Sequence, residues 1–355
     1  VTVVGFDVGL VPVLCTRAVP LTQVFGGLVA AGLLDVTRSW RNRQAAVRKD
    51  GQVLELVDTC VTFPAGGLSV ESEVLAVVEI DGATLSVVDS GAGTEWDAGS
   101  VVIGFTTAIS PFHPVDHGWP DQGPDRGTVT IDGVTVDVAG VVLGATQGPN
   151  LLTANNIPVR RGEPGWAFVV VHLLAPGSPG PVVGQQVRLD VDASYRESLC
   201  FGHTACHIAA LALNSALADR WRKPVVTDGL GHPNFDQLAL SSSRIRPDGS
   251  TDIYRLGKSL RKKGFDVLDL STGGVAALTN ALLARWVEAG ATVAILTQGP
   301  GLTDRRTWVC DLPDGQERIA CGGTHLTSLE GVAAITVSLT LDDAELRMET
   351  KVTRA

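Results

Sequence analysis

The sequence predicts an α+β fold, and three observations carry the expectation. Short runs rich in Val, Ile and Thr, split by turn dipeptides, fill residues 53–192. After this β-rich region, long apolar helical patterns begin at about residue 195. Further strand-like runs follow the helices towards residue 352. Segregated strands and helices mark α+β rather than a regularly alternating chain. The expected organisation is a segment of unassigned role (1–55), a β-rich, barrel-like domain (56–192) and an α+β domain (193–355).

The elements follow in order. Within 1–55, VFGGLVAAGLL runs into a basic stretch with Arg38, Arg41, Arg43, Arg48 and Lys49, read as an apolar helix passing into a solvated one, or into a nucleic-acid contact. VLELVDTCVTF, SEVLAVVEIDGATLSVVDS, GTVTIDGVTVDVAGVVLG, GWAFVVVHLLA and QQVRLDVDA read as strands. Asp81-Gly82 and Asp132-Gly133 mark turns. A helix is expected over about 203–222, ahead of Pro224, and a short one over about 254–263, ending at Gly264. FDVLDL reads as a strand, and VAALTNALLARWVEAG as a helix with Gly290 past its end. TVAILT, RTWVCDL, ERIAC, AAITVSLTL and LRMETKV complete the strands.

Composition bounds the function. The chain has 355 residues, 45% hydrophobic and 19% charged, enough apolar material for a large core. A net charge of −10 argues against a general nucleic-acid coat, and no DNA partner is expected, although one basic patch is compatible with it. The six cysteines, at 15, 60, 200, 206, 310 and 321, show no disulfide framework, so a reduced, cytoplasmic protein is expected. No apolar run reaches the roughly 18–20 residues of a membrane span. VFGGLVAAGLL follows Arg17, but its flanks do not suit a signal peptide.

FGHTACHIAALALNSAL places His203 and His207 at i and i+4, on one face of a helix, where two imidazoles can grip one ion. Far downstream, ERIACGGTHLTSLEG holds Cys321 and His325, again four apart but across two glycines, as a tight loop. Two His, one Cys and one further His suit a tetrahedral zinc ion.

GHTACH with CGGTH resembles the editing domain of alanyl-tRNA synthetases and the free-standing alanyl-tRNA editing proteins; threonyl-tRNA synthetase editing domains share these motifs. VRLDVDASYRESLCFGHTACHIAALAL, with Arg196, and RRTWVCDLPDGQERIACGGTHLTSLEGV resemble the flanks of the two pairs. SPFHPVDHGWPDQGPDRGTV resembles a third motif, roughly T-x-F-x-P-x-x-GGQ-x-x-D-x-G, with His117, Gly118 and Trp119 read in place of its glycines and glutamine. The resemblance covers about residues 70–350 and leaves a run around GAGTEWDAGSVVIGFTTAI as an apparent insertion.

The resemblance implies an α+β editing domain over 193–355 and a trans-acting, zinc-dependent aminoacyl-tRNA deacylase. Such an enzyme cleaves a mischarged small amino acid (serine, glycine or alanine) from tRNA. A specialised relative would act on threonyl analogues such as fluorothreonyl-tRNA. A non-catalytic, zinc-bearing module that binds tRNA or a synthetase is the rival reading, and a hydrolase of free amino-acid esters or amides a third. The implied zinc ligands are His203, His207, Cys321 and His325. Thr204, Cys206, Thr324, His113, His117 and Asp121 are candidates for the substrate pocket. Arg255, Lys258, Arg261, Lys262 and Lys263 would form a basic helical face for tRNA phosphates, or an ordinary solvated face. Asp192, Asp236 and Glu330 are carboxylates available as a general base, each otherwise structural.

Overall fold

The computed structural model describes residues 56–85, 100–116, 118–148, 150–268 and 270–355. The expectations for residues 1–55 and for His117 lie outside these. The fold is α+β, dominated by strands in several sheets. Among the described helices, none is long and apolar enough to cross a membrane.

Six strands of the first large sheet are β1 (Ser69–Asp81), β2 (Val101–Thr107), β3 (Gly127–Ile131), β4 (Val134–Thr146), β5 (Ala167–Leu174) and β6 (Gln186–Val191), and a short seventh, Leu151–Thr153, pairs with the end of β4. They pair in the order β3-β6-β1-β2-β5-β4, every pair antiparallel, and β4 pairs with β3 as well. The six strands thereby close a ring of pairings, which removes the unpaired edge an open sheet would leave. Asp132 (φ 49°) and Gly133 (φ 81°) join β3 to β4 as a two-residue loop, the backbone that an Asp-Gly pair favours in a tight hairpin. Phe168 and Val170 face a core with Phe105, Phe112, Val141 and Leu189, while Val169 and Val171 face a second one with Ile80, Val102 and Val142. Burial on both faces explains why this strand reads as an apolar run interrupted only by the buried His172.

The remaining strands and helices follow. Helix α1 spans Ala193–Ala216. Then come β7 (Leu240–Arg246), β8 (Gly249–Arg255), α2 (Thr272–Glu288), β9 (Thr292–Thr297), β10 (Arg306–Leu312), β11 (Gly315–Ala320), β12 (Val332–Asp342) and β13 (Glu345–Arg354). One antiparallel sheet runs β7-β8-β13-β12, a second β9-β10-β11. Helix α1 is buried on nearly every side from Ser198 to Asn214, sharing a core with Tyr254, Trp286, Trp308 and Met348. Helix α2 lies on β12, where Asn280 donates to Val337 O (3.0 Å) and accepts from Val337 N (2.7 Å), satisfying that edge strand.

Several boundaries differ from the sequence expectation. Helix α1 starts ten residues before His203, because the Asp192 side chain accepts from Tyr195 N and caps it there; it gives way to a 3-10 turn over Ala218–Arg220. The run expected as a helix over 254–263 is the end of β8 followed by a five-residue helix, Lys258–Lys262. Among its described residues FDVLDL forms no strand: Phe265 makes one isolated bridge to Trp221. VLELVDTCVTF keeps only Cys60–Val61 as strand, paired with Ile109–Ser110, among its described residues. Asp81-Gly82 leads into a helical turn, Gly82–Leu85, rather than a hairpin. The apparent insertion around 91–109 supplies β2, a member of the strand ring.

Candidate metal centre

Helix α1 presents His203 and His207 one turn apart towards the loop that leaves β11, where Cys321 and His325 sit. Two close approaches make this meeting feasible. A Cβ on Gly202 would lie 2.3 Å from Arg246 O and 2.6 Å from Gly249 O, so only glycine lets the helix rest on the β7–β8 turn. A Cβ on Gly323 would lie 2.3 Å from His203 Cε1 and 2.6 Å from Gln122 Oε1, so the second glycine of CGGTH lets the loop lie against the imidazole.

One donor atom from each of His203, His207, Cys321 and His325 falls within 4.8 Å of the others. Cys321 Sγ is 3.5 Å from His203 Nε2 and 3.3 Å from His325 Nε2. The far side of each ring shows which nitrogen is free. Thr324 N–H, an unambiguous donor, bonds to Gln122 Oε1 at 3.0 Å, which fixes the amide's orientation, while Gln122 Nε2 donates to Thr324 Oγ1 at 3.0 Å. The same Oε1 lies 2.7 Å from His203 Nδ1, so Nδ1 carries the proton and Nε2 keeps its lone pair. Thr204 Oγ1 accepts from Leu326 N at 3.0 Å and lies 3.3 Å from His325 Nδ1, the matching arrangement on the other ring. His207 Nε2 is buried and has no hydrogen-bond partner.

Burial pushes His203 and His207 down to about 3 and His325 well below the ordinary imidazole range, the neighbouring imidazoles adding to the last two. Burial, and then Asp121, push the Cys321 thiol up to about 12. Left alone, the set is three neutral imidazoles and a neutral thiol with inward lone pairs and little to bond. A cation satisfies all four donors at once and draws out the thiolate. The cluster could hold a metal ion, and its N₃S donor set is compatible with zinc.

His207 and Cys321 line a cleft of about 310 Å³ with Phe63, His113, Asp121 and Gln122. Trp308 packs beside the cluster, its ring 5.0 Å from that of His207. Arg196, 4% exposed, donates to both carboxylate oxygens of Asp125 and to Pro111 O, and Asp125 accepts from His113 N. Ile245 N donates to Asp121 O at 2.7 Å. These bonds seat the 111–126 loop over the start of α1 and against β7.

The other sequence candidates divide. His113 and Asp121 line the cleft; Asp121 Oδ2 is 3.9 Å from His203 Nε2, and burial raises its carboxyl. Thr204 and Thr324 are buried and hold His325 and Gln122 rather than lining the cleft. Cys206 faces away from the cluster: its Sγ lies 3.5 Å from Asp252 Oδ1, on the flank of α1 that meets β7 and β8. Arg255, Lys258, Arg261, Lys262 and Lys263 are exposed, but Arg255 sits on a strand, so they form no single helical face, and none lines the cleft. Asp192 caps α1 and Asp236 accepts from Tyr254 Oη, so neither faces the cleft, and Glu330 is also absent from it.

Sequence reasoning missed Gln122. It took the motif's glutamine as replaced at residues 117–119, yet Gln122, Asp125 and Gly127 keep the Q-x-x-D-x-G spacing, displaced by extra residues after Pro114. That spacing was the available signal.

No family model matches the chain. Over 269 residues, 76% of this chain, it is 27% identical to an alanine–tRNA ligase of Frankia alni (strain DSM 45986 / CECT 9034 / ACN14a). The match covers 25% of that ligase, so the chain spans about a quarter of the length of this relative. The comparison supports a distant relationship to the alanine–tRNA ligases over most of this chain.

Proposed function

We propose that the protein is a zinc-dependent aminoacyl-tRNA deacylase that hydrolyses the ester of a small mischarged amino acid, with serine, glycine and alanine as the candidates. One observation carries the reading: His203, His207, Cys321 and His325 converge at a cleft, with His207 Nε2 buried and unpartnered, in a chain distantly similar to an alanine–tRNA ligase. Zinc held there would supply Lewis-acid polarisation of an ester carbonyl and a lowered pKa for water.

The chain's own groups do the rest. Gln122 and Thr204 orient two of the imidazoles. Asp121 offers a carboxylate to the substrate's α-ammonium beside the cluster. Phe63, Leu143 and Ile319 give the cleft an apolar wall that excludes water.

The test is hydrolysis of a panel of charged tRNAs: seryl, alanyl, glycyl, threonyl and fluorothreonyl. Release of one amino acid, lost in Cys321→Ala, supports the reading and names the substrate. Stability of the whole panel against folded, zinc-loaded protein overturns it.

A second reading, a non-catalytic tRNA- or synthetase-binding module, is favoured by the count of four protein ligands, which usually marks a closed structural site. Chelation separates the two. A structural ion takes the fold with it, whereas a catalytic one takes activity first.

A further inference from the structure

The cleft carries two side chains that the metal cluster does not use. Trp119 lines it and is 50% exposed. Exposure alone says little, since single apolar side chains often face water. Fixation says more. Asp116 Oδ1 accepts from Gly118 N (2.9 Å), Asp116 O accepts from Trp119 N (3.3 Å), and Trp119 O accepts from Asp121 N (2.9 Å). The turn leads directly to Asp121, whose carboxylate lies 3.9 Å from His203 Nε2. A half-exposed aromatic side chain is thus carried by a bonded turn into the cleft that His207 and Cys321 line.

Arg161 lines the same cleft. Its Nη1 lies 3.4 Å from Asp116 Oδ2, on the turn that positions Trp119, and its Nη2 donates to Leu302 O. A Cβ on Gly322 would sit 3.7 Å from Arg161 Nη1, which puts the guanidinium against the residue after Cys321. A second guanidinium, Arg306, donates to Leu302 O as well (3.0 Å) and is buried behind Arg161, outside the cleft lining. An open aromatic side chain and a guanidinium in one cleft, joined through Asp116, match the two halves of a nucleotide: stacking serves the base without regard to its sequence, and a guanidinium serves the phosphate.

We propose that Trp119 and Arg161 grip the terminal nucleotide of a single-stranded RNA 3′ end, the base on the indole and the phosphate on the guanidinium. The inference rests on the aminoacyl-tRNA reading for its substrate class, but its test needs no hydrolysis.

The experiment is equilibrium binding of a 5′-fluorescein RNA ending in CCA, uncharged, to the full chain. Trp119→Ala is expected to weaken binding roughly 10- to 100-fold, the size of one lost base stack, and Trp119→Phe to restore most of it. Arg161→Ala is expected to weaken binding and to flatten the salt dependence by about 0.7 in log–log slope, one phosphate's share on a single strand. Binding unchanged in both Trp119→Ala and Arg161→Ala overturns the proposal, whatever the deacylation result. AMP competing as well as the RNA also overturns it, because a free nucleotide would then be the ligand. The expected pattern without deacylation would sustain the grip while removing the catalytic reading.

Discussion

Gln122 Oε1 lies 2.7 Å from His203 Nδ1, a residue 81 positions away, and ties the loop of the strand ring to helix α1. The same oxygen accepts from Thr324 N, so one amide orients an imidazole and anchors the CGGTH loop. Gln122→Leu is expected to lower zinc affinity roughly 10- to 100-fold, measured by competition with a chromophoric chelator. The loss of an acceptor for the buried Thr324 N–H adds about 1–3 kcal/mol of destabilisation in urea unfolding.

Gly323 has no room for a side chain against His203 Cε1 and Gln122 Oε1. Gly323→Ala must therefore displace the imidazole or the loop. The expected result is less than one zinc per chain by elemental analysis, where the neighbouring Gly322→Ala, whose Cβ meets only ordinary contacts with Arg161, keeps its metal.

Cys206 lies between His203 and His207 in sequence, yet its thiol faces away from the cluster that Cys321 joins. Cys206 bonds to Asp252, which also accepts from Ser243 and Ser250. Cys206→Ser should keep the metal and stay within about 1 kcal/mol of the parent in stability, because serine preserves a donor to that carboxylate. Metal loss in this variant would place Cys206 at the centre after all.

Asp236 gives a pH dependence with a definite sign. Burial and the nearby Asp252 push its carboxyl up to about 6, against a hydrogen bond from Tyr254 that favours ionisation. Its folded pKa is above its unfolded one, so the folded state binds more protons between about pH 4 and 6, and stability falls as pH rises through that window. Asp236→Asn removes the ionisation and keeps an acceptor for Tyr254. Its unfolding free energy is expected to exceed the parent's at pH 7, with the gap closing below pH 4.

The parts legible in the sequence are those where local pattern and tertiary demand agree. TVAILT and RTWVCDL are β9 and β10 residue for residue, and Asp132-Gly133 is the hairpin it promised. β7 and β8 escaped because LSSSRIR and GSTDIYR are polar: Ser243, Ser250 and Asp252 are buried by bonding to one another, which no hydropathy pattern reports. The start of α1 was hidden in ASYRES, whose polar residues mask the period, although Asp192 offered a cap. The four residues that could hold a metal were visible as spaced pairs of His and Cys. Gln122 was not, because a glutamine carries no ligand signature and its role exists only once two distant loops meet.

The measurement that bears most directly on the central claim is the zinc content of the purified protein and of His203→Ala, His207→Ala, Cys321→Ala and His325→Ala, each with a thermal melt. One ion per parent chain, a thiolate-to-metal charge-transfer band on cobalt substitution, and loss of both in Cys321→Ala are the predicted results. A parent chain that folds cooperatively, refuses zinc and cobalt alike, and is untouched by all four substitutions would contradict the account.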